Sequence, residues 1–360
     1  MYKSAIRPIL FRLSADNVHE ATLRFAGQIS RRKWLLRTAG KLYSYSSPAL
    51  RQKIWGFKFP NPIGLAAGFD KNGTIAPVME KIGFGFVEIG SVTANPSAGN
   101  PKPRNFRLPE DQSLINRLGL NNDGAATISK RVRKLSLGIP IGINIAKTHD
   151  PSIFGEKALN DYKESFNLFS DFADYITINI SCPNTGEGKT FEEPEALNSL
   201  LDTLQIEKDS SLPPVLIKFS VDLSDAHLAE LITICEKHAV SGYVATNTSS
   251  LRENLVTSAQ TISSIGKGGL SGRAIAHKST AMIEKVYAQT KGEKTIIGVG
   301  GISSGQDAID KLKAGADLLQ IYTSLIYEGP GIVKRINKEI AEYLEGKGLS
   351  HIYQIHSATD

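Results

Sequence analysis

The chain of 360 residues has only two cysteines, Cys182 and Cys235, too few for a disulfide framework and at no spacing that a metal cluster uses. It has no apolar run near eighteen residues, so no membrane-spanning helix is expected, and no signal peptide is expected either. No Gly-x-Gly-x-x-Gly follows the first apolar run after residue 60, which removes the usual dinucleotide signature. There is no low-complexity tract and no internal repeat beyond a strand–helix unit. Acidic residues are scarce at one end. Residues 1–60 carry twelve Lys/Arg against Asp16 and Glu20, a net +10, whereas the whole chain is +6, so the remainder sums to −4. The basic balance therefore belongs to the N-terminal segment, and such asymmetry points to an acidic surface, either phospholipid or nucleic acid.

That segment reads as short helices. Ser14 or Asp16 could cap a helix with Val18, Ala21, Phe25 and Ile29 on one face. Arg31-Arg32-Lys33-Trp34-Leu35-Leu36-Arg37 follows, and cations beside Trp and Leu suit a helix lying in lipid headgroups. The alternative is a helix packed on its own domain with a solvated basic face. Nucleic acid is not expected, because the aromatic spacing fits no base-stacking module.

Beyond residue 60, eight apolar runs alternate with helical patterns: Pro62–Ala67, Phe86–Gly90, Ile141–Ile145, Tyr175–Ile180, Val215–Phe219, Tyr243–Thr246, Ile296–Val299 and Leu318–Tyr322. The helix over Ser224–His238 shows the intervening pattern, with Leu228, Leu231, Ile232 and Cys235 on one face. Eight continuous runs of this kind predict an α/β fold, a (β/α)8 TIM barrel with an N-terminal helical extension. The long gap between the second and third runs, rich in Pro, Gly and Asn over residues 94–105, predicts an inserted loop over the barrel mouth.

Several runs end in polar residues, namely Asn144, Asn179, Lys218 and Thr246-Asn247-Thr248, and a parallel barrel brings all such ends to one face. Taken singly, each is usually a turn residue. The fourth run stops at Ser181-Cys182-Pro183-Asn184, leaving a thiol between two amides; a small buried cysteine before a turn is the other reading. Gly298-Val299-Gly300-Gly301 follows the seventh run and Tyr322-Thr323-Ser324 the eighth, where such barrels bind phosphate. Gly268-Gly269-Leu270-Ser271-Gly272 could cover the same anion, and a phosphorylated cofactor, best FMN, is expected. Small residues at Leu65-Ala66-Ala67-Gly68 leave room for a planar ring, and Lys71 brings a cation to the mouth.

Over nearly its whole length the chain resembles the dihydroorotate dehydrogenases, specifically their membrane-associated, quinone-dependent class 2. The resemblance rests on Leu65–Lys71, Glu88–Thr93, Lys102–Leu108, Ile115–Asn122, Ile143–Lys147, Ile178–Thr185, Ala245–Thr248, Gly269–Arg273, Ile297–Gly301 and Gln320–Tyr322. Residues 1–27, with Phe11, His19 and Glu20, resemble the class 2 extension, which class 1 lacks. The resemblance implies an extension over residues 1–46, an FMN-binding barrel over 47–345 and a tail over 346–360. It implies FMN contacts from Ala67, Gly68, Lys71, Ser91, Asn144, Asn179, Lys218, Thr246, Gly272, Gly301, Tyr322 and Thr323. Dihydroorotate would be held by Lys71, Asn116, Arg117, Leu118, Gly119, Leu120, Asn179, Asn184, Asn247 and Thr248, with Cys182 as the base. His19, Arg107 and Tyr322 match positions near the quinone path. The expected protein is a monomer bound peripherally to the cytoplasmic side of the cell membrane, oxidising dihydroorotate to orotate for UMP synthesis.

One position departs from this pattern. Class 2 enzymes carry serine as the base, and cysteine at the position of Cys182 is the habit of class 1. A class 1 enzyme using fumarate or NAD, with the N-terminal segment a protein-docking module, is therefore the second reading. A barrel that binds flavin without catalysis is the third.

Overall fold

The structure, a computed structural model, describes residues 2–181, 190–206 and 211–357. Its centre is a closed parallel barrel of β1 (Ile63–Leu65), β2 (Phe86–Val92), β3 (Ile141–Ile145), β4 (Tyr175–Asn179), β5 (Val215–Phe219), β6 (Gly242–Ala245), β7 (Thr295–Val299) and β8 (Leu318–Ile321), each paired with its neighbours in sequence and β8 closing on β1. The (β/α)8 expectation holds strand for strand, because strands covered by helices outside and side chains inside must be apolar on both faces. The ends move by one or two residues. β1 begins after Pro62, which lacks an N–H but still accepts from Leu319 N at 2.8 Å. β2 runs on to Val92 across a register shift that begins at Ile89.

A hairpin of Gln52–Ile54 and Phe57–Phe59 plugs the N-terminal end of the barrel. Phe59 meets Phe86 edge-on at 5.5 Å, and Trp55 tilts over Tyr175 at 5.7 Å. These rings fit because the neighbouring strand is bare at the same level. Register pairs Gly64 with Phe86 and Gly142 with Tyr175, and a Cβ on either glycine would enter the facing ring.

The other end is roofed. Between β2 and β3 the chain forms Asn105–Leu108 and Ser113–Asn116, and Gly269–Gly272, arriving from between β6 and β7, completes a three-stranded antiparallel sheet. The expected irregular loop is thus half sheet, and its third strand lies too far downstream for local patterning to announce it.

The extension contains α1 (Arg7–Phe11), α2 (Ala15–Ser30) and α3 (Lys33–Tyr43), and it docks on the roof. Ser14 occupies the N-cap of α2 without a side-chain cap bond. Asp16 is buried and turned to the roof, accepting from Arg104 N at 2.9 Å and Asn105 Nδ2 at 2.7 Å. Arg107 donates to Leu10 O at 3.0 Å and lies 4.6 Å from the Phe11 ring centroid. Among the described residues no helix is long and apolar enough to cross a membrane. Replacing Gly142 with Val should cost about 1–3 kcal/mol by overpacking the floor against Tyr175, read as a lowered urea midpoint at unchanged m-value.

Candidate active site

The strand ends and the roof line a cavity. Its wall gathers Ala67, Gly68 and Lys71 after β1, Ser91 on β2, Asn179 on β4, Lys218 on β5, and Thr246, Asn247 and Thr248 after β6. Gly301, Tyr322 and Thr323 come from the last two units, and Gly272, Asn116, Leu118, Gly119 and Leu120 from the roof and the segment after it.

Two expected residues do not reach that wall. Asn144 is fully buried behind Ser91, whose hydroxyl donates to its Oδ1. Arg117 turns away, donating to Ile265 O at 2.6 Å and Pro103 O at 3.2 Å, with its guanidinium 4.7 Å from the Phe106 ring centroid. Cys182 and Asn184 lie outside the described residues.

The polar wall has a definite order. Asn179 Nδ2 donates to Ser91 Oγ at 3.1 Å, and Asn247 Nδ2 donates to Asn179 Oδ1 at 3.1 Å and to Ser181 O at 2.9 Å. Ser271 and Thr323 hydroxyls meet at 2.9 Å beside Gly272. At the cavity floor Gln320 donates to Glu88 Oε2 at 2.7 Å, while its own Oε1 is buried without a partner. Glu88 and the free face of Gln320 went unassigned in the sequence. The available signal was an acid inside an otherwise apolar run, since buried carboxylates are nearly always paired.

Two cations complete the chemistry. Lys218 is buried, and desolvation lowers its pKa while the charge of Glu88 works to raise it. Lys71 donates to Gly68 O at 2.6 Å; burial, with Arg104 nearby, brings its pKa down from 10.5 to about 8 despite Asp70. Both are therefore poised to gain from a bound anion. A line of rings connects this wall to the extension: His19 meets Phe69 edge-on at 5.2 Å, and Phe69 meets Tyr322 at 5.2 Å. Desolvation and Lys71 push His19 down to about 3, so it is a neutral ring at physiological pH.

The residues present suit FMN. The unpaired Gln320 Oε1 supplies an acceptor for a ring N–H, and Lys218 supplies a buried positive charge. Glycines close the wall tightly, for a Cβ at Gly272 would come within 2.9 Å of Thr323 and within 2.7 Å of Gln112 O.

A (β/α)8 barrel with such a cavity over its C-terminal strand ends is the architecture of an enzyme. Residues 49–344 match the dihydroorotate dehydrogenase family. The dihydroorotate dehydrogenase (quinone) of Chloroflexus aurantiacus is 42% identical over 350 residues, covering 94% of this chain and 96% of that protein. That of Gloeobacter violaceus is 40% identical over 357 residues, 98% of each. The ligand-free crystal structure of the Eimeria tenella enzyme superposes with a TM-score of 0.82 at 32% identity, covering 93% of this chain and 99% of that one. The chain belongs to the dihydroorotate dehydrogenase family.

With Lys71 titrating near 8, its positive charge is present below that pH and lost above it. The KM for an anionic substrate held by Lys71 should therefore rise as pH passes upward through about 8. A KM–pH profile checks this, and Lys71→Met should flatten it while raising KM throughout.

Proposed function

We propose that the chain oxidises dihydroorotate to orotate and delivers the electrons to a membrane quinone. The observation that carries this is the cavity whose wall holds two buried cations and a ladder of amides, with Tyr322, Phe69 and His19 in ring-to-ring contact from that wall to the extension. Held against Lys218, Gln320 and the glycine-lined wall, FMN would supply a two-electron acceptor for the hydride leaving C6 and a donor to the quinone.

The protein's own residues hold and deprotonate the substrate. Lys71 pairs with its carboxylate, and the amides of Asn116, Asn179 and Asn247, with that of Asn184, read the donors and acceptors of its ring. Thr248 closes the same wall. Lys218 offers fixed positive charge where negative charge accumulates on reduction, in a site whose dipoles are already oriented. Cys182 is the proposed base for the C5 proton. A thiol of ordinary pKa about 8.5 loses its proton far more readily than a serine hydroxyl.

The acceptor is chosen at the extension. His19, Arg107 and Tyr322 edge the proposed quinone path, with Phe11 and Phe69 between them. On its outer surface Ile9, Phe25, Trp34 and Leu42 are exposed beside exposed Arg31, Arg32, Lys33, Arg37 and Lys41. That combination suits peripheral attachment to an anionic leaflet, as on the cytoplasmic side of a cell membrane.

Cys182 favours the second reading, a fumarate- or NAD-linked enzyme, and one assay separates the two. Dihydroorotate oxidation should proceed with a quinone in anionic vesicles and stay near background with fumarate or NAD; turnover with either soluble acceptor would reverse the assignment. Cys182→Ser should move the rising limb of the kcat profile to higher pH, whereas an unchanged profile would remove the thiol from the base role.

A further inference from the structure

Glu88 is a fully buried carboxylate on the barrel axis, beneath the cavity, with no part in the chemistry above. Four side chains from three strands donate to it: Asn144 Nδ2 at 2.9 Å, Tyr175 OH at 3.2 Å, Thr177 Oγ1 at 3.1 Å and Gln320 Nε2 at 2.7 Å. A carboxylate accepting on both oxygens offers no donor in return. Each amide that meets it must present its NH2 and keep its oxygen for the other side.

That constraint propagates upward. Asn144 Oδ1 is left to receive the Ser91 hydroxyl. With its proton committed, Ser91 Oγ accepts from Asn179 Nδ2 at 3.1 Å. Asn179 Oδ1 in turn takes Asn247 Nδ2 at 3.1 Å, and Asn247 Oδ1 takes Thr248 N at 2.8 Å. On the other branch, Gln320 faces the cavity with an unpartnered acceptor. We propose that Glu88 is a positioning residue: its acceptor-only carboxylate sets the direction of the hydrogen bonds that face both the flavin and the substrate. Its charge also lies close enough to Lys218 to oppose part of the positive field there. The proposal rests on the assignment of the cavity to FMN and dihydroorotate.

Glu88→Gln tests it, because the size is kept while one acceptor becomes a donor. Whichever way the new amide turns, the NH2 of Asn144 or Gln320 meets a second NH2 and must flip or go unpaired. In the flavin-loaded protein, orotate affinity, read from the perturbation of the flavin spectrum, should fall roughly tenfold, the worth of one misdirected buried hydrogen bond. The flavin midpoint potential should move positive as the charge opposing Lys218 is lost. Glu88→Asp keeps both charge and polarity, so it should leave the potential in place and orotate affinity within about threefold, well inside that loss. Glu88→Gln with either quantity unchanged, or Glu88→Asp shifting the potential as far, overturns the proposal. Should Glu88→Gln fail to fold, Ser91→Ala cuts the relay above Glu88. It should weaken orotate, and wild-type orotate affinity in that variant refutes the relay. A parent protein that retains no flavin, or whose flavin dihydroorotate does not bleach, refutes the underlying assignment instead.

Discussion

Closure of the barrel is the constraint on which everything else hangs. Eight parallel strands paired edge to edge leave no free ladder and only two ends. Because each strand is buried on both faces, polar side chains can gather only where strands stop or where the interior supplies partners. The floor is given mainly to packing: Phe59, Phe86 and Tyr175 fill it against bare glycines. The opposite end, relieved of that duty, holds the chemistry. The same closure explains why residues as distant in sequence as Lys71 and Asn247 share one wall.

The electrostatics follow from the same geometry. Lys71 and Lys218 are desolvated, and among the described residues the carboxylate of Glu88 supports the charge of Lys218. Buried charge is tolerable where partners compensate it, and here much of the compensation is left to what enters the cavity. A site with positive charge to spare discriminates by charge before it discriminates by shape, which suits anionic ligands.

Much of this was legible in the sequence. Continuous apolar runs mark strands buried on both sides, so all eight were visible, and polar residues at their ends marked the wall. The roof was less so: Gly269–Gly272 is a strand only because Ser113–Asn116 lies beside it, a pairing with no local signature. Rotation of side chains was also hidden. Nothing in Asn116-Arg117-Leu118 says that the middle guanidinium turns outward to Ile265 O and Pro103 O while its neighbours face inward. Glu88 was visible as an oddity, but its meaning required the four donors that surround it.

The roof has a consequence for how the molecule comes to be. Barrel strands pair with neighbours in sequence, so closure advances through successive local units. The roof joins residues 113–116 to residues 269–272, and the extension rests on that roof through Asp16 and Arg107. Contacts of such span carry more loop-closure entropy than those between successive strands, as does the return of β8 to β1. The N-terminal helices, although first in the chain, therefore dock on a surface that exists in full only once residues 269–272 have arrived beside residues 113–116.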